Sequence, residues 1–192
     1  MTVLERLFKK GLKFKYLYFF YRLLFLKIHY GGRVHLDAFS VSLERGSRVY
    51  VSAASHISFG EWVYIKRGVD IEAHDGALIR LGNNLFINKN SSIIAREGIE
   101  IGSNCMIADH VSIYDHNYIY EKKDIPFKMQ GYKSKKIRIG NNVWIGSKAF
   151  IGSGVKIGDN VVIGANSIVT KDIPSNTIAH SKVTLALREL GE

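Results

Sequence analysis

"KIRIGNNVWIGSKAFIGSGVKIGDNVVIGANSIVTKDIP", residues 136 to 174, decides the fold. Aliphatic side chains return in it at every sixth position, as Ile139, Ile145, Ile151, Ile157, Ile163 and Val169. A period of six matches neither the 3.6-residue repeat of an amphipathic helix nor the two-residue alternation of a strand. A triangular coil satisfies it. Each hexapeptide is one short strand and a corner, the aliphatic residue points into the prism, and Gly, Asn or Asp takes the unusual backbone angles of the corner. Three hexapeptides make an 18-residue coil, the separation between "IGNNV" at 139 and "IGDNV" at 157.

Similar starts occur upstream, at "RGSRV" (45), "FGEWV" (59), "LGNNL" (81) and "IGSNC" (101). The starts at 101 and 139 are 38 residues apart, one coil plus 20, which predicts a single protruding loop over residues 117–136. That loop begins inside "SIYDHNYIYEKK", residues 112 to 123, where Asp115, His116 and Asn117 stand side by side. The chain therefore divides into an N-terminal segment (1–33), an all-β solenoid (34–178) and a C-terminal tail (179–192).

Composition narrows the function. Of the net charge of +10, residues 1–33 carry +7, with eight basic residues against the single acid Glu5. The body is not especially basic, so nucleic acid is not an expected partner. The lone Cys105 occupies an aliphatic slot of the repeat and reads as a small buried hydrophobe. The stretch "MTVLERLFKKGLKFKYLYFFYRLLFLKIHY" joins a basic amphipathic start to an aromatic run interrupted by Arg22 and Lys27. It is too short and too charged to span a membrane and lacks a small-residue cleavage site. Two readings stand. One is an interfacial helix on anionic lipid; the other is a cap on the solenoid or a neighbouring subunit.

The repeat and the loop resemble the hexapeptide acyltransferases, more narrowly the galactoside, maltose and nodulation acetyltransferases and the sugar O-acetyltransferases of cell-surface polysaccharide synthesis. The likeness runs over about residues 45 to 180 and is most specific from 101 to 174. It implies a left-handed parallel β-helix, a homotrimer with active sites between subunits, acetyl-CoA as cosubstrate, a sugar or glycan acceptor and no metal. The expected setting is the cytoplasm, peripheral on the inner face of the membrane.

Acyl transfer from a thioester to an alcohol needs a base for the hydroxyl proton and a donor for the tetrahedral oxyanion. In the family the base is a histidine at the root of an extended loop, a position that His116 matches. Adjacent extended residues point to opposite faces, so Asp115 is not expected to orient His116; it and Asn117 are read as turn residues or acceptor contacts. In "FINKN" the resemblance assigns Asn88 to the acceptor, while the neighbouring family carboxylate is replaced in "SIIARE" by Ala95 and Arg96. Donor contacts map onto Trp144, Ser147, Ala165, Thr170 and Lys171, with an amide or hydroxyl near Ser147 facing the oxyanion. The C-terminal stretch "AHSKVTLALREL" departs from the family's CoA-closing segment, leaving Lys182 or Arg188 to supply its charge.

Three rival readings carry their own signatures. An acceptor amine would use the same base. A gamma-class carbonic anhydrase would draw on His74, His110 and His116, spaced 36 and 6 apart, as zinc ligands. A non-catalytic scaffold held at the membrane by residues 1–30 would bind no acetyl-CoA.

Overall fold

The computed structural model describes residues 14–38 and 40–182. It is a triangular parallel β-solenoid of about six coils, the left-handed β-helix expected, with one helix at its N-terminal end. Residues 1–13 and 183–192 lie outside the described residues, and with them Arg188 and the amphipathic start of the N-terminal segment.

Outside the hairpin described below, the strands pair in parallel with those one coil away and fall into three sheets, so the coil has three faces. The register is strict. On the first face Ile57, Ile79, Ile99 and Ile137 stack inward. On the second, Leu43, Ile65, Ile87, Ile107, Ile145 and Ile163 do so. The third stacks Val49, Ile71, Ile93, Ile113, Ile151 and Val169. All are buried in one continuous core. Cys105 shares it, and burial pushes its thiol pKa up.

The coils are not uniform. Ile57 to Ile79 spans 22 residues and Ile79 to Ile99 spans 20, against the 18 between Ile145 and Ile163. Four-residue strands on the third face, such as Asp70–Ala73 and Ser92–Ala95, and on the first, such as His56–Phe59 and Leu78–Leu81, account for the longer coils, where the last coils have two-residue ones. Lengthening a strand by two residues preserves its inward-outward alternation. On the third face it adds an inward slot, filled in successive coils by Val51, Ala73 and Ala95.

One row of corners is built on asparagine. Asn84, Asn104, Asn142, Asn160 and Asn176 all have φ between 51° and 60°, the left-handed region that Asn tolerates best after Gly. Their side-chain amides bond from coil to coil at 2.9 to 3.1 Å, from Asn84 to Asn104 and along Asn142, Asn160 and Asn176. The polar corner thus satisfies itself along the axis.

Helix α1, Phe14–Tyr30, closes the N-terminal end. Leu23 and Leu26 are buried in the solenoid core, and Arg22 donates to the carbonyl of Ser47 at 2.7 Å. Its opposite side exposes Leu17, Tyr21, Leu24, Phe25 and Ile28. The helix is therefore a cap and also carries an uncovered apolar strip. Among the described residues no helix is long and apolar enough to cross a membrane.

The protruding segment is a hairpin. His116–Tyr118 pairs antiparallel with Tyr132–Ser134, placing His116 opposite Ser134 at its root.

The stacked core sets the stability. Ile79→Ala removes a fully buried side chain and is expected to cost about 2–5 kcal/mol. Arg80→Ala, its outward neighbour, should stay within about 0.5–1 kcal/mol. Denaturant midpoints that moved equally for the two would contradict this assignment of faces.

Candidate active site

His116 stands where the third face turns toward the first. Ile113 points inward, Tyr114 outward and Asp115 inward again, into the slot that holds Ala95 one coil earlier. Asp115 is 0% exposed. Its carboxylate accepts the backbone N–H groups of Arg96 at 2.9 Å, Glu97 at 2.8 Å and Gly98 at 2.6 Å. It also lies 3.1 Å from His116 Nδ1. Burial by itself would raise the Asp115 pKa, but the bonds from His116 and the three amides outweigh it and hold the group below the usual carboxylate range.

This corrects the sequence expectation for Asp115. Its carboxylate is buried and bonded, and it lies against Nδ1 of its neighbour, where it can orient the ring. Alternation along a strand does send the two side chains apart, but the chain bends at the corner. The bend swings the imidazole back over the inward carboxylate. An ionised carboxylate only accepts, so Nδ1 carries the proton and Nε2 keeps its lone pair, able to accept a proton.

The imidazole, whose side chain is 15% exposed, sits among rings. Tyr114 stacks at 6.1 Å and Tyr132 meets it edge-on at 5.4 Å. Tyr132 comes from the returning strand of the hairpin, with Tyr118 tilted beside it at 4.6 Å. The Arg96 guanidinium lies over the other region of the Tyr132 ring, 3.5 Å from its centre, and pairs with Asp75. The root is tied from the next coil, where Ser153 donates its hydroxyl to the Asp115 carbonyl at 2.7 Å. Sequence reasoning passed over Tyr114, Tyr132 and Ser153, and saw Arg96 only as the loss of a carboxylate. The 38-residue step between coils relates Asp115 to Ser153, a signal that was available; the position of Tyr132 depends on how the hairpin folds back.

Asn117 is exposed on the hairpin, opposite Lys133. Asn88 lies on a different edge, between the second and third faces, with its side-chain oxygen accepting the N–H of Lys89 at 2.9 Å. Ser147 and Ala165 follow on that edge, related by the 18-residue step, and the Asn166 N–H donates to the Ser147 carbonyl at 2.9 Å. The Ser147 hydroxyl is already given to Asp109, at 2.6 Å, which lowers the pKa of that carboxyl. Trp144 stands outward on the second face, half exposed. Thr170 and Lys171 are exposed after Ile168–Val169, on the edge that carries His116. The residues assigned to the donor thus divide between two edges, and Asn88 and His116 do not meet within one chain.

The three histidines do not converge. His110 is a corner residue with φ 56° on the Asn88 edge, and His74 pairs with Glu72 at 2.9 Å on the His116 edge. Among the described residues no three His, Cys, Asp or Glu side chains group as metal ligands.

Residues 136–171 match the family described as bacterial transferase hexapeptide (six repeats), and residues 78–114 the hexapeptide repeat of succinyl-transferase. Galactoside O-acetyltransferase of Escherichia coli K12 is 43% identical over 119 residues, 61% of this chain and 57% of that protein. WbbJ of the same organism, named as a lipopolysaccharide-biosynthesis O-acetyl transferase, is 33% identical over 136 residues, 67% of this chain and 69% of its own length. The chain spans between 35% and 69% of the length of these and other curated relatives. Among solved structures, a galactoside acetyltransferase in complex with coenzyme A superposes with a TM-score of 0.52 at 34% identity, over 77% of this chain and 60% of that one. AntD, an N-acyltransferase from Bacillus cereus in complex with dTDP and coenzyme A, shares the fold with a TM-score of 0.67 at 22% identity, over 81% and 82% of the two chains. With its coil register and these relatives in agreement, the chain belongs to the hexapeptide-repeat acyltransferase family.

Proposed function

We propose that this protein is an acetyl-CoA-dependent O-acetyltransferase acting on a sugar hydroxyl, of a cell-surface polysaccharide or its precursor. The observation that carries the reading is the Asp115–His116 pair at the root of the hairpin, which holds the imidazole with Nε2 free of its carboxylate partner. The relatives named for galactoside and lipopolysaccharide O-acetylation support the acceptor class. The coenzyme A bound in the galactoside acetyltransferase structure supports the donor.

In this mechanism Nε2 of His116 takes the hydroxyl proton as the sugar oxygen attacks the thioester carbonyl. The Asp115 carboxylate stabilises the imidazolium so formed. The tetrahedral intermediate collapses with cleavage of the C–S bond, and the imidazolium returns its proton to the departing thiolate. Because the Ser147 hydroxyl is committed to Asp109, we assign the oxyanion to the Ser147 backbone amide.

We further assign the working unit to a homotrimer with sites between protomers. The outer surfaces of the three faces favour it. The first face is charged, carrying Arg80, Glu100, Arg138 and Lys156 in register. Beyond the Tyr64–Phe86 pair the second presents Met106, Trp144 and Val162 as an apolar row, and the third, charged in its early coils by Arg48, Asp70 and Glu72, exposes Ile168 beside Phe150 in its later ones. Packing the apolar faces of two copies brings the Asn88–Ser147 edge of one toward the His116 edge of the next.

Thioester consumption with a panel of sugars, amino sugars and sugar nucleotides tests the chemistry. His116→Ala should lower kcat by about 10²- to 10⁴-fold, and unchanged turnover would remove the central claim. Asp115→Asn should approach the same loss while leaving acetyl-CoA affinity within about twofold, because it disturbs the tautomer and not the donor edge.

Acid sensitivity follows from the same carboxylate. Its folded-state pKa lies below the ordinary value, so the unfolded chain takes up the proton first. Its contribution is complete above about pH 4 and is lost as pH falls further, toward the lower folded value. Stability measured between pH 6 and pH 3 should therefore fall less steeply in Asp115→Asn than in the wild type; parallel curves would rule the linkage out.

Mixing tests the shared site. Co-refolded His116→Ala and Asn88→Ala chains, each inactive alone, should regain activity where a neighbour supplies the missing residue. Strictly additive residual rates would place each site within one chain.

A further inference from the structure

Two cavities of opposite character meet beside helix α1. The first, about 690 Å³, is an apolar groove with Leu17, Phe20 and Leu23 on the helix side and Trp62, Tyr64 and Phe86 on the solenoid side. The second, about 440 Å³, is lined by Arg45, Lys66, Arg67 and Lys89 together with Tyr18, Phe19 and Glu44. Phe19, Glu44 and Lys66 border both. Lys66 marks the junction: its ammonium is 2.8 Å from Glu44 and 5.9 Å from the centre of the Phe86 ring. Glu44, the one acid among the described lining residues, pairs with Lys66 and also accepts the Arg67 backbone N–H at 3.2 Å.

The three remaining cations form a ladder. Leu43, Ile65 and Ile87 are in register, so Arg45, Arg67 and Lys89, each two residues further on, occupy one edge in successive coils. Neighbouring rungs are about 4.8 Å apart. Asn88 adjoins the last cation, and Asp109 and Ser147 continue the same edge. A chain of positive charge thus runs from the apolar groove to the residues assigned to acceptor and donor.

Trp62 adds an independent sign. It has φ 57° at the corner where the following coils place Asn84, Asn104 and Asn142. A bulky residue in left-handed backbone is strained, and such strain accompanies side chains needed for contact. Here the indole forms the wall of the groove.

We infer that this end of the molecule binds a long-chain lipid phosphate, its hydrocarbon in the groove and its phosphate on the Arg45–Arg67–Lys89 ladder. The inference rests on the acyltransferase reading for its last step: a sugar carried on that phosphate extends along the edge to Asn88. The acceptor is then a lipid-linked sugar, met at a membrane surface by the exposed Leu24, Phe25 and Ile28 of α1.

Farnesyl phosphate, farnesol and inorganic phosphate, titrated separately into the full chain, dissect the site. The protein has two tryptophans, so Trp144→Phe leaves Trp62 as the sole reporter. Farnesyl phosphate should shift Trp62 emission to the blue and saturate, at least tenfold tighter than farnesol, while inorganic phosphate alone does nothing. Arg67→Glu with Lys89→Glu should reduce farnesyl phosphate to the level of farnesol without changing the melting temperature. Equal affinities for the alcohol and the phosphate, or no change in Trp62, would overturn the inference. So would sedimentation showing that self-association abolishes the Trp62 response, which would assign the groove to a second copy of the chain. The two proposals fail separately. Turnover on free sugars without lipid-phosphate binding removes only the lipid site, and tight binding with no thioester consumption on any acceptor removes only the acyl transfer.

Discussion

A buried carboxylate holds this site together. Asp115 occupies a slot that the preceding coils give to Val51, Ala73 and Ala95, so an anion stands where the solenoid otherwise packs methyl groups. Such a charge is tolerable only when fully bonded, and the three amides from Arg96 to Gly98 with the imidazole of His116 supply what burial removes. One group thereby fixes the corner of the coil below, the exit of the hairpin and the tautomer of the histidine. The Asp115 carbonyl extends the joint by accepting from Lys135, where the hairpin returns, and from Ser153 in the coil above. In the function proposed above, stability and reactivity depend on the same atoms.

The fold was legible because the repeat states it twice, once in the aliphatic period and once in the Gly-x-Asn corners. The coil length was legible only after residue 139. Upstream, two-residue insertions on the third and first faces keep every inward residue inward and so leave the local pattern intact while changing the count. His116 could be read from the position where the count breaks. Asp115 could not, because its role depends on a bend, and strand alternation describes only straight segments. Arg96 and Tyr132 were hidden for another reason: they are 36 residues apart in sequence, and a coil below and a returning hairpin bring the guanidinium over the ring that meets the histidine. A period reports what repeats along the axis, and those contacts do not repeat.

The distribution of side chains outside the prism carries information that the core does not. All three faces bury the same kind of residue, yet they differ outside: the first is charged along its length, with Glu100 bonded to Lys136 at 2.6 Å and flanked by Arg80 and Arg138, the second carries an apolar row, and the third passes from the ion-paired Arg48, Asp70 and Glu72 to Phe150 and Ile168. A solenoid that stood alone would have no reason to distinguish its faces. The asymmetry coincides with the division of the functional residues between two edges, Asn88 and Ser147 on one, His116 and Lys171 on the other. A single prism cannot bring these edges together, since its corners are held apart by the rigid strands between them. The homotrimer proposed above, packed through its apolar surfaces, would resolve the division without any motion of the coil.

Helix α1 follows from the same economy at the open end. The first coil has no coil beneath it, and its inward residues would face water without a cover. Leu23 and Leu26 supply that cover, and Tyr30 and Arg33 donate to the carbonyls of Val49 and Val51, which have no lower strand to bond. A cap needs only one side of a helix. The other side of α1 is nevertheless apolar, whereas a helix whose work ended at capping would place charged residues there. Tyr21, Leu24 and Ile28 add nothing to the closure of the coil, so their chemistry has to be explained by something outside it. The two readings that the N-terminal sequence left open, cap and interfacial helix, are therefore compatible: they use opposite sides of the same element, and closing the solenoid is what turns the second side outward.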